Sequence, residues 1–230
     1  MSPMLRDEES VVRGQDVPGE IVDAVFAISC RSLPVDHAYA LSQAIEAALP
    51  WFARDPDAGL HIVYGAASAS GWMRPEGADA VLQLSRRAKL ALRLPRHRLD
   101  DAAALVGRTL QIAGWPLRVD RLTLRPLSSI TTLFARSVLL ASAGDEPAFL
   151  AAAAGELGAL GINPGTMLCG RVTPVATPAC TYQTRSLMVA GLMPEQSLLL
   201  QRHGLGAERK LGCGVFIPHK DIGDLRSRSD

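Results

Sequence analysis

The run Ile21-Val-Asp-Ala-Val-Phe-Ala-Ile-Ser-Cys30, continued by Arg31-Ser-Leu-Pro-Val-Asp-His-Ala-Tyr-Ala-Leu-Ser-Gln-Ala-Ile-Glu-Ala-Ala-Leu-Pro-Trp-Phe52, decides the fold class. Its first ten residues are apolar almost throughout and read as a buried strand. Pro34 interrupts the chain, and Asp36 is a suitable helix N-cap. Ala40, Leu41, Ala44, Ile45, Ala48 and Leu49 then recur at helical spacing, predicting a helix from about His37 to Phe52. Upstream, residues 1–20 lack periodicity and carry Gly14, Pro18 and Gly19, which predicts a mobile tail. Asp7, Glu8 and Glu9 make that tail acidic, unlike a signal peptide.

Downstream, short strands are predicted over 60–64, 80–84 and 89–94, with Gly71, Pro75 and Gly77 between the first two. A short helix over 99–106 starts at Asp100 and Asp101 and stops at Gly107. Residues 109–113 and 116–119 resemble a hairpin around Gly114-Trp115, and residues 122–127 extend the sheet. A similar order then begins again. A strand is predicted over 132–141, an alanine-rich helix over 146–160 ended by Gly161, and a strand over 181–192. A helix over 194–203 has Pro194 in its first turn, and a last strand covers 215–217. The order predicts an α+β chain of two halves, 21–128 and 129–222, joined near Ser128-Ser129, with a tail over 223–230. Each half resembles the split β-α-β-β-α-β, ferredoxin-like (RRM-like) unit, although no close sequence repeat relates them.

Composition narrows the function classes. The 230 residues are 48% hydrophobic but only 5% aromatic, so the core is aliphatic. A formal charge of +1 does not by itself announce a nucleic-acid partner. Lys89, Lys210 and Lys220 are the only lysines, the other 21 basic residues being arginine. Arginine suits phosphates and base edges, but a GC-rich genome yields the same bias. The four cysteines, Cys30, Cys169, Cys180 and Cys213, form no CxxC pair, so no structural zinc is expected and they read as reduced cytoplasmic thiols. No apolar run is long enough to span a membrane.

The densest motif is Gly204-Leu205-Gly206-Ala207-Glu208-Arg209-Lys210-Leu211-Gly212-Cys213-Gly214. Glycine admits positive φ and lets backbone approach a ligand, so exposed amides aided by Arg209 and Lys210 would meet phosphate oxygens. The alternative is a glycine-rich turn with no ligand. The motif follows a helix and precedes a strand, which excludes the Walker loop and the dinucleotide fingerprint.

The longer run Leu198-Leu-Leu-Gln-Arg-His-Gly-Leu-Gly-Ala-Glu-Arg-Lys-Leu-Gly-Cys-Gly-Val-Phe-Ile-Pro218 resembles the C-terminal signature of the CRISPR repeat-processing endoribonucleases, the Cas-six family of the RAMP superfamily. Leu33-Pro-Val-Asp-His-Ala-Tyr-Ala-Leu41, Leu90-Ala-Leu-Arg-Leu-Pro95 and Leu133-Phe-Ala-Arg136 are similar to its MYXAN-type subgroup. The resemblance spans about 21–222 and implies tandem ferredoxin-like domains. It also implies metal-free cutting of precursor CRISPR RNA within the repeat, without a cofactor. Retention of the mature guide RNA beside the backbone subunits of an effector complex follows from it too. Residues 166–185 depart from the more basic pattern of relatives, with Arg171 and Arg185 as the nearby charges.

Metal-free RNA cleavage needs a proton acceptor for the 2′-hydroxyl, a proton donor for the leaving oxygen and positive charge at phosphorus. Among the five histidines, His37 follows a strand and opens the first helix, the segment from which the resembling family commonly supplies its catalytic histidine. A first-turn histidine packed on its neighbours is the alternative. Tyr39 is a weaker partner, better read as a core-edge tyrosine. His203, just before the glycine loop, is either an RNA contact or a helix-end residue. Arg86, Arg87, Lys89 and Arg93 form a second basic region. On a strand, Arg87, Lys89 and Arg93 share one face opposite Leu90, Leu92 and Leu94, which gives either a phosphate-tracking strip or a solvated face. Trp72 is a loop candidate for base stacking.

Overall fold

The computed structural model describes residues 20–65, 75, 77, 80–141 and 144–219. Trp72, the expected N-terminal tail short of Glu20 and the tail over 223–230 lie outside these. The first half runs β1 (Ile21–Ser29), β2 (Ser32–Pro34), α1 (Ala38–Ala48), β3 (Gly59–His61), β4 (Val81–Gln83) and β5 (Lys89–Pro95). A 3-10 turn (Arg96–Arg98) leads into α2 (Leu99–Ala103), β6 (Thr109–Ile112) and β7 (Trp115–Pro126). Its sheet has the order β3-β5-β1-β7-β6, while β2 and β4 pair separately. Leaving aside β6, the hairpin partner of β7, this is the antiparallel order of a ferredoxin-like unit. The second half runs β8 (Leu133–Val138), α3 (Glu146–Ala159), β9 (Thr166–Ala176), β10 (Thr181–Ala190), α4 (Pro194–His203) and β11 (Ile217–Pro218). Its sheet order, β11-β8-β10-β9, repeats that topology.

Local chemistry explains most boundaries. β1 is central and pairs antiparallel with both β5 and β7. Val22, Ala24, Phe26 and Ile28 on one face join Leu41 and Ile45 of α1 in the first core. The predicted helix ends early: Leu49, ahead of Pro50, adopts φ −132°, ψ 81°, the extended bias of a residue preceding proline. Asp36 is not the N-cap; His37 takes that position and its side chain makes no capping bond. In α3, by contrast, Asp145 accepts from the Ala148 N–H at 3.1 Å, and Gly161 ends the helix at φ +73°. Phe149, Leu157, Leu187, Leu200 and Phe216 centre the second core.

Two strands differ from expectation. The 122–127 segment is the distal part of the 12-residue β7. β9, 11 residues long, is absent from the sequence reading, because Gly170, Pro174 and its mostly exposed residues hide its period. As an edge strand it tolerates Pro174, which lacks a ladder donor.

Candidate active site

The glycine loop is a clasp between the halves. Gly204, Gly206, Gly212 and Gly214 all have φ between +66° and +81°. A Cβ on Gly206 would run into the Leu139 carbonyl, one on Gly212 into the Ile62 side chain, and one on Gly214 into the Leu205 carbonyl. The loop's amides are largely consumed internally. Gly206 N–H donates to Glu156 Oε2 at 2.9 Å, Ala207 to the Leu139 carbonyl at 3.3 Å and Gly214 to the Ser137 carbonyl at 2.7 Å. The Glu208 carbonyl accepts from Leu211 and Cys213. The expected cradle of exposed amides is therefore corrected: these donors face protein.

The loop's cations face inward as well. Lys210 Nζ donates to the carbonyls of Asp55 and Ala58, each at 2.5 Å, and lies over the Phe52 ring. Arg209 donates to the carbonyls of His203 at 2.7 Å and Asp57 at 3.4 Å. Burial lowers the Lys210 ammonium to about 8 and the Arg209 guanidinium to about 10. Both are docking residues, so the expectation of direct phosphate contact is corrected for them. His203 remains exposed at the end of α4.

The second basic region divides. Arg86 and Arg87 are exposed in the turn before β5, and Lys89 is exposed at its start. Arg93 is corrected: it is 0% exposed. Its guanidinium pairs with Asp23 (Nε to Oδ1 2.9 Å, Nη2 to Oδ2 3.2 Å), while Nη1 donates to the Gln201 and Phe216 carbonyls at 2.8 and 2.7 Å. Alternation correctly puts Arg93 on the face away from Leu92, but the second half covers that face. Asp23 also accepts from Arg125 at 2.9 Å and His61 at 3.1 Å. Burial raises the Asp23 carboxyl, but His61 and Arg93 outweigh it and hold the group well below the usual carboxylate range. Burial likewise lowers His61, outweighing the opposite pull of Asp23.

His37 lies in a cleft of about 220 Å³ between the halves. It is 1% exposed, and its Nδ1 donates to the Pro34 carbonyl at 2.8 Å. Asp36, Tyr64, Arg136, Ser137, Thr173 and Ser186 share the lining. Tyr39 instead packs against the small cluster of Val175, Leu211 and Cys213, as a core-edge tyrosine. A larger cavity of about 700 Å³ opens next to the cleft and carries Lys89, Arg125 and His61; Tyr64, Phe134 and Arg136 line both. Among the described residues no group of three or more His, Cys, Asp or Glu side chains is arranged to hold a metal ion. No described helix is long and apolar enough to cross a membrane.

A family model described as Cas6 Crispr matches residues 22–221. The chain belongs to the Cas6 family. The CRISPR-associated endonuclease Cas6 of Myxococcus xanthus (strain DK1622) is 34% identical over 197 residues, which cover 86% of this chain and 81% of that protein. By that kinship the chain is a CRISPR-associated endoribonuclease. Two solved structures share its fold. One, "CRISPR associated protein Cas6", aligns at TM-score 0.57 and 9% identity over 87% of this chain and 99% of its own. The other, "An RAMP protein binding different RNA substrates", aligns at 0.56 and 10% identity over 87% and 100%.

In this Cas6 chain the candidate His37 has a local sequence signal, while the residues around it have little or none. Arg136 is legible only as the last residue of the short run Leu133-Phe-Ala-Arg136. Tyr64 ends a predicted strand, and Ser137 and Ser186 sit in strands without any local signal. Tyr64 reaches the cleft within the first half, whereas the docking of the two halves brings Arg136, Ser137 and Ser186 to His37. Arg125, missed in the same way, reaches Asp23 across the sheet from β7.

Proposed function

We propose that this chain binds CRISPR repeat RNA and cuts the precursor within the repeat, using His37 and no metal ion. The observation that carries this reading is the position of His37, at the mouth of α1 in a cleft between two ferredoxin-like units that Asp36, Arg136, Ser137 and Ser186 also line. With Nδ1 donating to the Pro34 carbonyl, the neutral ring presents Nε2 as the nitrogen that exchanges a proton. The 2′-oxygen bonds to phosphorus, and the bond from phosphorus to the 5′-oxygen breaks. The proton lost by the 2′-hydroxyl is matched by one gained by the leaving oxygen. No outside reactant is consumed, and the products are a cyclic phosphate and a 5′-hydroxyl.

The exposed Arg86, Arg87, Lys89 and His203 contact phosphates in this reading. Gly204, Gly206, Arg209, Lys210, Gly212 and Gly214 act on RNA indirectly, through the docking they secure. The protein then stays on the mature guide RNA, next to the backbone subunits of an effector complex.

Incubation with the cognate repeat RNA in EDTA tests the chemistry. Cutting persists in the chelator, and His37→Ala slows it about 10²- to 10⁴-fold while repeat affinity stays within a few-fold. A His37→Ala variant that cuts at the normal rate refutes the assignment. The burial of His37, at 1% exposed, favours a second reading: a repeat-binding subunit without chemistry. Tight binding with no cutting by the unaltered protein selects it.

A further inference from the structure

We infer that Arg136 is a second catalytic residue of this cleft, contacting the scissile phosphate, and that Tyr64 is its positioning residue. The inference rests on the His37 reading above. Its first support is charge. Among the described residues lining the His37 cleft, Arg136 is the one arginine or lysine. In-line attack concentrates negative charge on the non-bridging phosphate oxygens, where a preorganised cation acts most strongly.

The second support is an irregularity in the sheet. Ala135 pairs with Leu187 and Val138 with Arg185, so Arg136 and Ser137 of β8 together oppose Ser186 of β10. The same shift occurs on the other side of β10. Val172 pairs with Arg185 and Cys169 with Leu187, so Gly170 and Arg171 also oppose Ser186. Ser186 thus sits between two bulges. In a regular strand, consecutive residues point to opposite faces. Here Arg136 and Ser137 both line the cleft, the re-aiming that a bulge produces. Gly170 accommodates this arrangement, since a Cβ there would collide with Ser186 Oγ.

The third support is how the guanidinium is held. Its central carbon lies 4.2 Å from the Tyr64 ring centroid and 5.8 Å from that of Phe134. Stacking engages the flat face of the group. Its N–H donors lie in the plane at the edge, the geometry that two phosphate oxygens require. Tyr64 comes from the first half and Arg136 from the second, so docking sets the position of the cation relative to His37.

Single-turnover cleavage of the cognate repeat by the full chain tests the inference, with affinity measured on a repeat carrying a 2′-deoxy nucleotide at the cut. Arg136→Ala should cut about 10²- to 10³-fold more slowly and bind the uncleavable repeat within about tenfold of the unaltered protein. Arg136→Lys keeps charge and packing but loses the fork, and should be about tenfold slower. Tyr64→Leu should cut about tenfold more slowly, and Tyr64→Phe, which keeps the ring, should recover most of that loss. A phosphorothioate in one non-bridging position should slow the unaltered protein but not Arg136→Ala, a signature that a merely structural arginine does not give. Normal cutting by folded Arg136→Ala or Arg136→Lys, with His37→Ala inactive, overturns this inference and leaves the His37 reading intact. Normal cutting by both Arg136→Ala and His37→Ala overturns both readings. If Arg136→Ala does not fold, Arg136→Lys and the Tyr64 pair decide: normal rates in Arg136→Lys and Tyr64→Leu overturn the inference.

Discussion

Asp23 gathers Arg93, Arg125 and His61 onto one carboxylate near the start of β1. Arg93 is fully buried, so deleting its counter-charge leaves a cation with no route to water. Asp23→Asn should therefore cost about 3–5 kcal/mol, read from urea unfolding at neutral pH. The same cluster sets an acid limb. Burial lowers His61 below its ordinary 6.5, so from that pH down to the lower folded value the unfolded state binds more protons. Stability is complete above the unfolded value and falls as pH drops through it towards the lower folded one. The depressed Asp23 adds a second loss, beginning as pH falls through its unfolded value of 3.8. His61→Gln should flatten the first part of this profile and also lessen the second, because His61 is one of the groups that hold Asp23 down. An unchanged slope just below pH 6.5 in that variant would refute the role given to His61.

At the level of elements, the glycine loop shows how one motif serves two different purposes in sequence and in space. At positive φ its glycines pack closely against protein, Gly204, Gly206 and Gly214 against backbone carbonyls and Gly212 against the Ile62 side chain. Gly206→Ala and Gly214→Ala should each lower stability by at least about 1–2 kcal/mol from the left-handed backbone alone. Collision with a carbonyl adds to that loss. A folded double variant with normal stability but weakened RNA binding would restore the phosphate-cradle reading. β1, α1, α3 and α4 were legible in the sequence because an apolar run, helical period, Gly161 and Pro194 are local signals. β9 was not, since an exposed edge strand with Gly170 and Pro174 has neither a run nor a period to detect. Arg93 was placed on the correct face of β5 and assigned to the wrong environment: alternation tells which way a side chain points, never what covers it. His37 was legible from its place before a helix. Its neighbours Tyr64, Arg136 and Ser186 were not, because a bulge register and the contact of two halves are non-local.

For the whole molecule, the halves are joined by more than residues 127–132. Arg93 reaches from β5 to carbonyls of the second half, while Arg209 and Lys210 reach from the second half to carbonyls of the first. Lys210→Met should remove the lysine donor from the Asp55 and Ala58 carbonyls, leaving Asp55 only the Ala58 N–H, at a cost of about 1–3 kcal/mol. Amide exchange should rise together in residues 55–61 and 209–214, because the two segments open as one unit. Faster exchange in only one of them would show that Lys210 does not couple the halves. This clasp also orders the birth of the protein in time. His37 leaves the ribosome long before Gly214; at about 5–20 residues per second the gap is roughly 10–35 seconds. Until the loop has been made and has closed on β3, the first half carries its histidine without the opposing wall of the cleft. A nascent chain therefore lacks the complete cleft around His37 until synthesis has passed the clasp.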